Sequence, residues 1–593
     1  MCGILAILDN SCLEQDVIDS IITSIDRRGP DYSSPIIEIQ TSGTIIRVKS
    51  SVLHLCGDVM QKQPMINDRK DALLFNGQVY RHDSGSIPIS QSDTSYIFER
   101  LESCDNHDQI VDVFTGIDGP FAFIYWHQDT STLFYGRDIF GRKSLCVLRN
   151  KKTSQILLIS SVATFPNEAN HPDLAWEEAD PLSFVALDYR GLNFPKRVEY
   201  RWTIDKLYPE VHSPADSSTS SFNISTPYIS PLNLDCRPCR DFDETDWRRA
   251  IHEVNQVLVA SVSKHVERNK GACLSCRKNL GSSDGAPDSK CEHSKVAVAF
   301  SGGIDSTLLA YALDRVLEKC ETIDLVSVAF EQGAPDRASV EEAFDELRNL
   351  KPSRNWRLVL CDISIEELKA MRRARIRDLI SPCITVIDDS LGCATWFIGR
   401  ARGRSIDSRS LKGVSRNALS PFMEYTLDYR DYPGLEVNHD YTSCASMMFV
   451  GSAIDEQLGG YSSHRSSWSK SGEKGLLNEI SYQMRRLPTR NLGRDDRNYS
   501  DHGRDLKLPY LDSELVSLLN RLPIGLKMDL DLPISIGPKK ILRDLASDWG
   551  LIHTSQRVKR AMQFGTRIAN LECNKEKGSE VCDRLLSDNE VAV

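Results

Sequence analysis

Val296-Ala297-Val298-Ala299-Phe300 is an apolar, partly β-branched run, and Ser301-Gly302-Gly303-Ile304-Asp305-Ser306 follows it directly. From Thr307 to Cys320 the apolar residues then recur at helical spacing. A strand that turns through two glycines into a helix constrains the rest of the chain strongly. The helix has to cross back over the strand, so the next strand joins the sheet parallel to the first. Two further buried-strand patterns follow, in the runs DLVSVAF and RLVLCDI. Ser364 and Glu367 then mark the capped start of another helix. This alternation predicts a parallel sheet with helices on both faces. The glycine turn can aim successive N–H groups into a concavity at a helix N-terminus, which suits a phosphate. It is not a Walker A loop, because no Gly-Lys-Ser/Thr follows. A plain strand-to-helix turn is the simpler alternative.

At 593 residues the chain is long enough for two to four domains, each with its own core. Its 40% hydrophobic and 26% charged residues exclude a wholly disordered chain, a coiled coil or a collagen-like repeat. A net charge of −11 gives it no electrostatic reason to seek nucleic acid. No apolar run reaches membrane-spanning length, so no membrane partner is expected. The start, MCGILAILDNS, lacks the basic region of an export signal, and position 2 is Cys rather than the Gly of a myristoylation site. Seventeen cysteines, an odd and dilute number, fit reduced thiols in a cytoplasmic protein.

Three textures divide the chain. Residues 1–205 alternate short apolar runs with Gly, Pro and Asp turns, the pattern of a β-rich domain of hairpins. Seven serines and three prolines between Val211 and Pro231 read as a solvated linker, and a second polar patch covers 269–294. Residues 206–295 are therefore expected to be a partly disordered linker. The strand–helix alternation fills 296–570, and 571–593 reads as a flexible tail.

Cys2, if Met1 is removed, carries both a thiol and an α-amino group that can act as its base. Position 2 could equally hold a cysteine by accident. Further motifs follow in order: Arg27-Arg28-Gly29-Pro30-Asp31, Gln63-Pro64, Phe75-Asn76-Gly77-Gln78-Val79-Tyr80, Ser92-Asp93-Thr94 and Gly136-Arg137-Asp138. In this order and spacing the set resembles the class II glutamine amidotransferase domain, an N-terminal-nucleophile hydrolase with an αββα fold. The version it resembles most is the one fused to asparagine synthetase. The resemblance implies that Cys2 releases ammonia from glutamine, that Asn76 and Gly77 form the oxyanion hole, and that Asp93 and Gln78 hold the substrate amino acid. A neutral side-chain amide and a backbone N–H are suitable donors to a tetrahedral oxyanion.

The SGGIDS turn in its turn resembles the PP-loop of ATP pyrophosphatases, which have an adenine-nucleotide α-hydrolase-like fold. Gly451-Ser452-Ala453-Ile454-Asp455-Glu456 resembles the second pyrophosphate motif of asparagine synthetase, and Asp496-Arg497, His502-Gly503 and Leu508-Pro509-Tyr510-Leu511-Asp512 follow in the family order. The implied fold is mixed, α/β and α+β: a glutaminase domain, then a PP-loop domain. The implied ATP and pyrophosphate site is Ser301, Gly302, Gly303, Asp305, Ser306, Gly451, Ser452 and Lys559. Asp305 and Asp455 are the implied Mg²⁺ ligands, hard oxygen donors suited to that ion. The implied partners are glutamine, ATP and an aspartate-like carboxylate.

Several positions depart from the family pattern. Gln78 stands where the family has Glu, and Val52 where it has the arginine that holds the glutamine carboxylate. Ser452 replaces a catalytic glutamate and Ser390 an active-site arginine, while Asp388 and Asp389 add negative charge beside the acceptor. Two readings follow: an enzyme that makes asparagine or another amide from glutamine and ATP, or an ATP-binding scaffold that has lost amide synthesis. Two side questions stay open as well. Cys236-x-x-Cys239, Cys273-x-x-Cys276 and Cys291-x-His293 could hold zinc, but the pairs are spaced too widely for a zinc ribbon, so unliganded surface thiols are expected. The run Arg372-Arg373-Ala374-Arg375-Ile376-Arg377 is expected to be the wet face of a helix, with a phosphate-facing role as the alternative.

Overall fold

The computed structural model describes residues 2–9, 13–41, 45–85, 87–164, 173–191, 195–209, 222–269, 273–277, 291–411, 437–571 and 576–586. Two seven-stranded sheets build the N-terminal part. In the first, Gly3–Ile7 lies between Ile156–Ser160 and Ile45–Val52, antiparallel to both. In the second, Phe121–His127 lies between Thr132–Arg137 and Ala72–Gly77, again antiparallel. Alternate side chains of the two sheets meet in one core. Ile4, Ala6 and Val48 come from the first sheet, and Leu74, Ile124 and Leu133 from the second. The opposite face of the first sheet buries Leu5 and Ile7 against Ile18, Ile21 and Ile25 of the helix Gln15–Arg28. On the outer face of the second, Phe75 and Phe123 share a core with Ile97 and Phe114 of the helices Asp93–Leu101 and His107–Thr115. The result is the expected αββα layering. The period of two in each strand decides which residue faces which layer.

The third sheet has seven strands. Five of them, Trp356–Asp362, Ile323–Ala329, Val296–Ala299, Met447–Phe449 and the edge strand Asp505–Lys507, run parallel in that spatial order. Arg402–Asp407 and Val437–Thr442 extend one edge antiparallel. All seven residues of Ile323–Ala329 are buried, as a strand covered on both faces requires.

Two expectations about order are corrected. Residues 244–267, inside the stretch read as a linker, form a 24-residue helix. Trp247, Ala250, Ile251, Val254, Leu258, Ser261, Val262 and His265 are its buried residues, a stripe that recurs every three or four positions, and Asp243 caps its start. Flanking Ser-, Pro- and Cys-rich sequence disguised this stripe. Phe222–Ile224, from the same stretch, is one of the seven strands of the second sheet. In the segment read as a flexible tail, Cys582 N–H donates to Ile384 C=O at 2.8 Å and Leu585 is buried. The arginine run is a wet face only in part: Arg373 is exposed, but two others turn inward. Arg372 pairs with Asp389 at 2.8 Å, and Arg375 with Asp501 at 2.5 Å.

Candidate functional site

Two pockets contain the residues singled out above. The smaller, about 40 Å³, is lined by Cys2, Gln63, Gly77, Gln78 and Asp93. The first strand delivers Cys2 to its floor. The backbone N–H of Cys2 donates to Asn76 Oδ1 at 2.9 Å, and Gln63 Nε2 lies 3.4 Å from the Cys2 sulfur. The Asn76 side chain is fully buried, yet its Nδ2 has no hydrogen-bond partner. A buried amide donor costs free energy unless an acceptor arrives. Asn76 therefore offers an N–H beside the thiol, as an oxyanion hole requires. Burial pushes the Cys2 thiol above its ordinary range, while the chain's amino terminus and the Leu53 backbone pull the other way.

Two side chains that the sequence did not single out contact residues of this pocket. Arg268, just past the end of the long helix, forms an ion pair with Asp93. Lys507, at the end of a strand of the third sheet, donates to Gln78 Oε1 and pairs with Asp505 at 2.7 Å. Burial raises the Asp93 carboxyl and Arg268 opposes it. Gln78 therefore has a cation beside it, and Asp93 is already paired. Neither cation lies near its pocket partner in sequence, so no local motif announces them.

The larger pocket, about 420 Å³, opens at the end of the parallel strands. That is where open α/β sheets bind ligands, and the volume is that of a small-molecule site. Ser301, Gly303, Asp305 and Ser306 line it from the glycine turn, and Gly451, Ser452 and Asp455 from the next strand's end. Gly302 stands behind the turn with φ +68°, and a Cβ there would lie 2.2 Å from Ser339 O. The helix Ile304–Val316 begins at Gly303, so its N-terminal N–H groups face the cavity.

Asp305 and Asp455 come together here through a lysine the sequence did not mark. Lys539 lies 2.6 Å from Asp305 and 2.7 Å from Asp455, while Lys559 is 2.6 Å from Asp455. Burial would raise the Asp455 carboxyl, but Lys539 and Lys559 outweigh it and hold it low. Burial raises Asp305, and Lys539 opposes it. Asp305 Oδ1 remains buried without a hydrogen bond, an oxygen available to a hard cation. Glu456 is raised by burial and by Asp455, and it accepts from Tyr461 Oη at 2.7 Å. The negative charge of Asp388 and Asp389 is offset in place: Arg494 pairs with Asp388 at 2.6 Å, and Arg372 covers Asp389.

Sequence similarity to known proteins runs along nearly the whole chain. Residues 1–180 match the glutamine amidotransferase domain family and residues 453–593 the asparagine synthase family. The asparagine synthetase domain-containing protein 1 of Bos taurus is 30% identical, over 99% of this chain and 98% of its own length. The chain belongs to that protein family. The Homo sapiens member is likewise 30% identical over 99% and 98%. A Drosophila melanogaster asparagine synthetase domain-containing protein is 28% identical over 99% and 100%. The chain thus joins an asparagine synthetase-like glutamine amidotransferase domain to an ATP-utilising domain. Among the described residues, no helix is long and apolar enough to cross a membrane.

Proposed function

We propose that the chain transfers ammonia from glutamine to an ATP-activated carboxylate, with aspartate as the acceptor and asparagine, glutamate, AMP and pyrophosphate as products. One observation carries the reading: a single pair of adjacent strands links the two pockets. Met447–Phe449 leads into Gly451–Asp455 at the ATP-side pocket. Its neighbour Asp505–Lys507 pairs with it in register and ends with Lys507 on Gln78.

In this reading Met1 is removed and the Cys2 α-amine takes the thiol proton. The sulfur adds to the glutamine amide carbon, and Asn76 Nδ2 and Gly77 N–H receive the oxyanion. Collapse expels ammonia and leaves an acyl thioester, which water cleaves to glutamate and free Cys2. In the other pocket the acceptor carboxylate attacks the α-phosphorus of ATP and pyrophosphate leaves. Ammonia then displaces AMP from the acyl-adenylate. The Ser301–Ser306 turn and Lys559 hold the phosphates. Asp305 and Asp455 would hold Mg²⁺, which neutralises charge on the phosphates when bound. Arg494, held between Asp388 and Asp495, balances the negative charge beside the acceptor, where Ser390 brings no cation.

Incubation with glutamine, aspartate and ATP–Mg²⁺, followed by mass spectrometry of glutamate, AMP and asparagine, tests the reading. All three products are expected. Cys2→Ala should abolish glutamine use and leave asparagine formation from added ammonia. ATP binding without AMP formation would instead favour the scaffold reading, which Ser452 and the Arg268–Asp93 pair support.

A further inference from the structure

The structure gathers four soft metal-binding groups at one point outside both pockets. Cys291 Sγ lies 3.5 Å from Cys273 Sγ and 3.4 Å from Cys276 Sγ. His293 Nδ1 lies 3.4 Å from Cys273, 3.6 Å from Cys276 and 3.2 Å from Cys291. All four donor atoms fall within 4.8 Å of one another. Three thiolates at ~2.3 Å and one imidazole nitrogen at ~2.0–2.1 Å from a tetrahedral zinc ion would be spaced roughly 3.5–3.8 Å apart. The five measured edges fall within about 0.4 Å of that figure.

The surroundings fit a metal knuckle. Cys276 N–H points at Cys273 Sγ, 3.2 Å away, and so supports a thiolate there. Leu274 N–H donates to Cys444 C=O at 2.8 Å, which anchors the first pair to the body of the domain. Cys444 itself is engaged by Ser275 Oγ at 3.0 Å and stays outside the cluster. Cys236 and Cys239 take no part. For one pair this geometry speaks against the unliganded thiols expected from the spacing between CxxC pairs. Its partners are a lone cysteine and a histidine, not the other CxxC.

We propose that Cys273, Cys276, Cys291 and His293 form a structural zinc site that clips the exit of the long helix to the first strand of the parallel sheet. Four protein ligands fill a tetrahedron and leave no open position, so the role is structural rather than catalytic. The location gives the clip a purpose. Arg268, on Asp93 in the glutaminase pocket, is five residues before Cys273, and Val296, which opens the strand to the ATP pocket, is three after His293. Zinc would hold these two lead-ins in register, and its binding free energy would count toward folding of this segment.

Metal content of the purified full-length protein decides the matter. We expect close to one zinc per chain, retained by a Cys236→Ser/Cys239→Ser variant and lost at least tenfold from Cys276→Ser/Cys291→Ser. Should the latter variant fail to fold, the wild-type chain still gives an answer. X-ray absorption at the zinc edge should show three sulfurs at ~2.3 Å and one nitrogen at ~2.0–2.1 Å. Cobalt substitution should give the thiolate charge-transfer band of a tetrahedral site. A chain that stays zinc-free after loading, an oxygen-rich shell, or a disulfide among these cysteines would each overturn the proposal.

Discussion

Gly302 holds a backbone conformation that L side chains rarely adopt, with φ +68°, and has no room for a methyl group. Alanine there adds a Cβ 2.2 Å from Ser339 O, so the turn or the helix behind it must shift. The strain of the left-handed region adds about 1–2 kcal/mol. Gly302→Ala should weaken ATP–Mg²⁺ binding tenfold or more, measured by calorimetric titration, while glutamine hydrolysis persists. Unchanged nucleotide affinity would mean that this turn does not cradle the phosphates. At this scale the sequence displayed some roles and hid others. Cys2, Asn76, Gly77, Asp305 and Asp455 lie in short motifs whose chemistry is local. Lys539, Arg268 and Lys507 act by reaching groups more than eighty residues away, and no spacing rule announces such a contact.

Among the elements, the helix Glu244–Glu267 has the largest effect on how the fold is understood. It packs on the helices Ile304–Val316, Ser513–Arg521 and Lys540–Asp548, so it belongs to the body of the ATP-side domain. Trp247 shows why. Its ring is buried, its Nε1–H donates to Asp544 at 2.7 Å, and the Lys540 ammonium lies 3.9 Å above the ring. Trp247→Ala should cost about 3–5 kcal/mol, and Trp247→Phe much less because most of the packing survives. Urea unfolding followed by circular dichroism measures both, and equal midpoints for the wild type and the alanine variant would refute the packing. The strands were readable because parallel burial leaves continuous apolar runs such as DLVSVAF. The long helix was equally periodic, but its loop-like neighbours set the reading for the whole segment. The zinc cluster was only half readable, since a fourteen-residue gap separates its CxxC from Cys291.

Across the whole molecule, the N-terminal and ATP-side halves are joined by buried charges. Arg28 meets Asp496 at 2.7 Å, Lys143 meets Asp505 at 2.8 Å, and Arg497 meets Glu178 at 2.6 Å. Asp501 is the most heavily used of these acids. It accepts from Arg27 of the N-terminal half at 2.8 Å, from Arg375 at 2.5 Å, and from Trp396 Nε1 at 2.9 Å. Burial alone would raise its carboxyl, but Arg375, then His502 and Arg27, hold it at about 2. The folded value lies below the ordinary 3.8, so the ion pair stabilises the fold at pH values above about 4. That contribution, about 2–3 kcal/mol, disappears as the pH falls through the folded value near 2. Replacing Asp501 with Asn leaves two arginines without a counter-charge at every pH, a constant cost added to the titrating one. The stability gap between wild type and Asp501→Asn should therefore be widest at pH 7 and should narrow by about 2–3 kcal/mol towards pH 2. Denaturant titrations at several pH values read it directly, and a gap that ignores pH would mean that Asp501 does not carry charge across this interface. Because the same interface brings Lys507 to Gln78, glutamine turnover by the variant should fall together with stability.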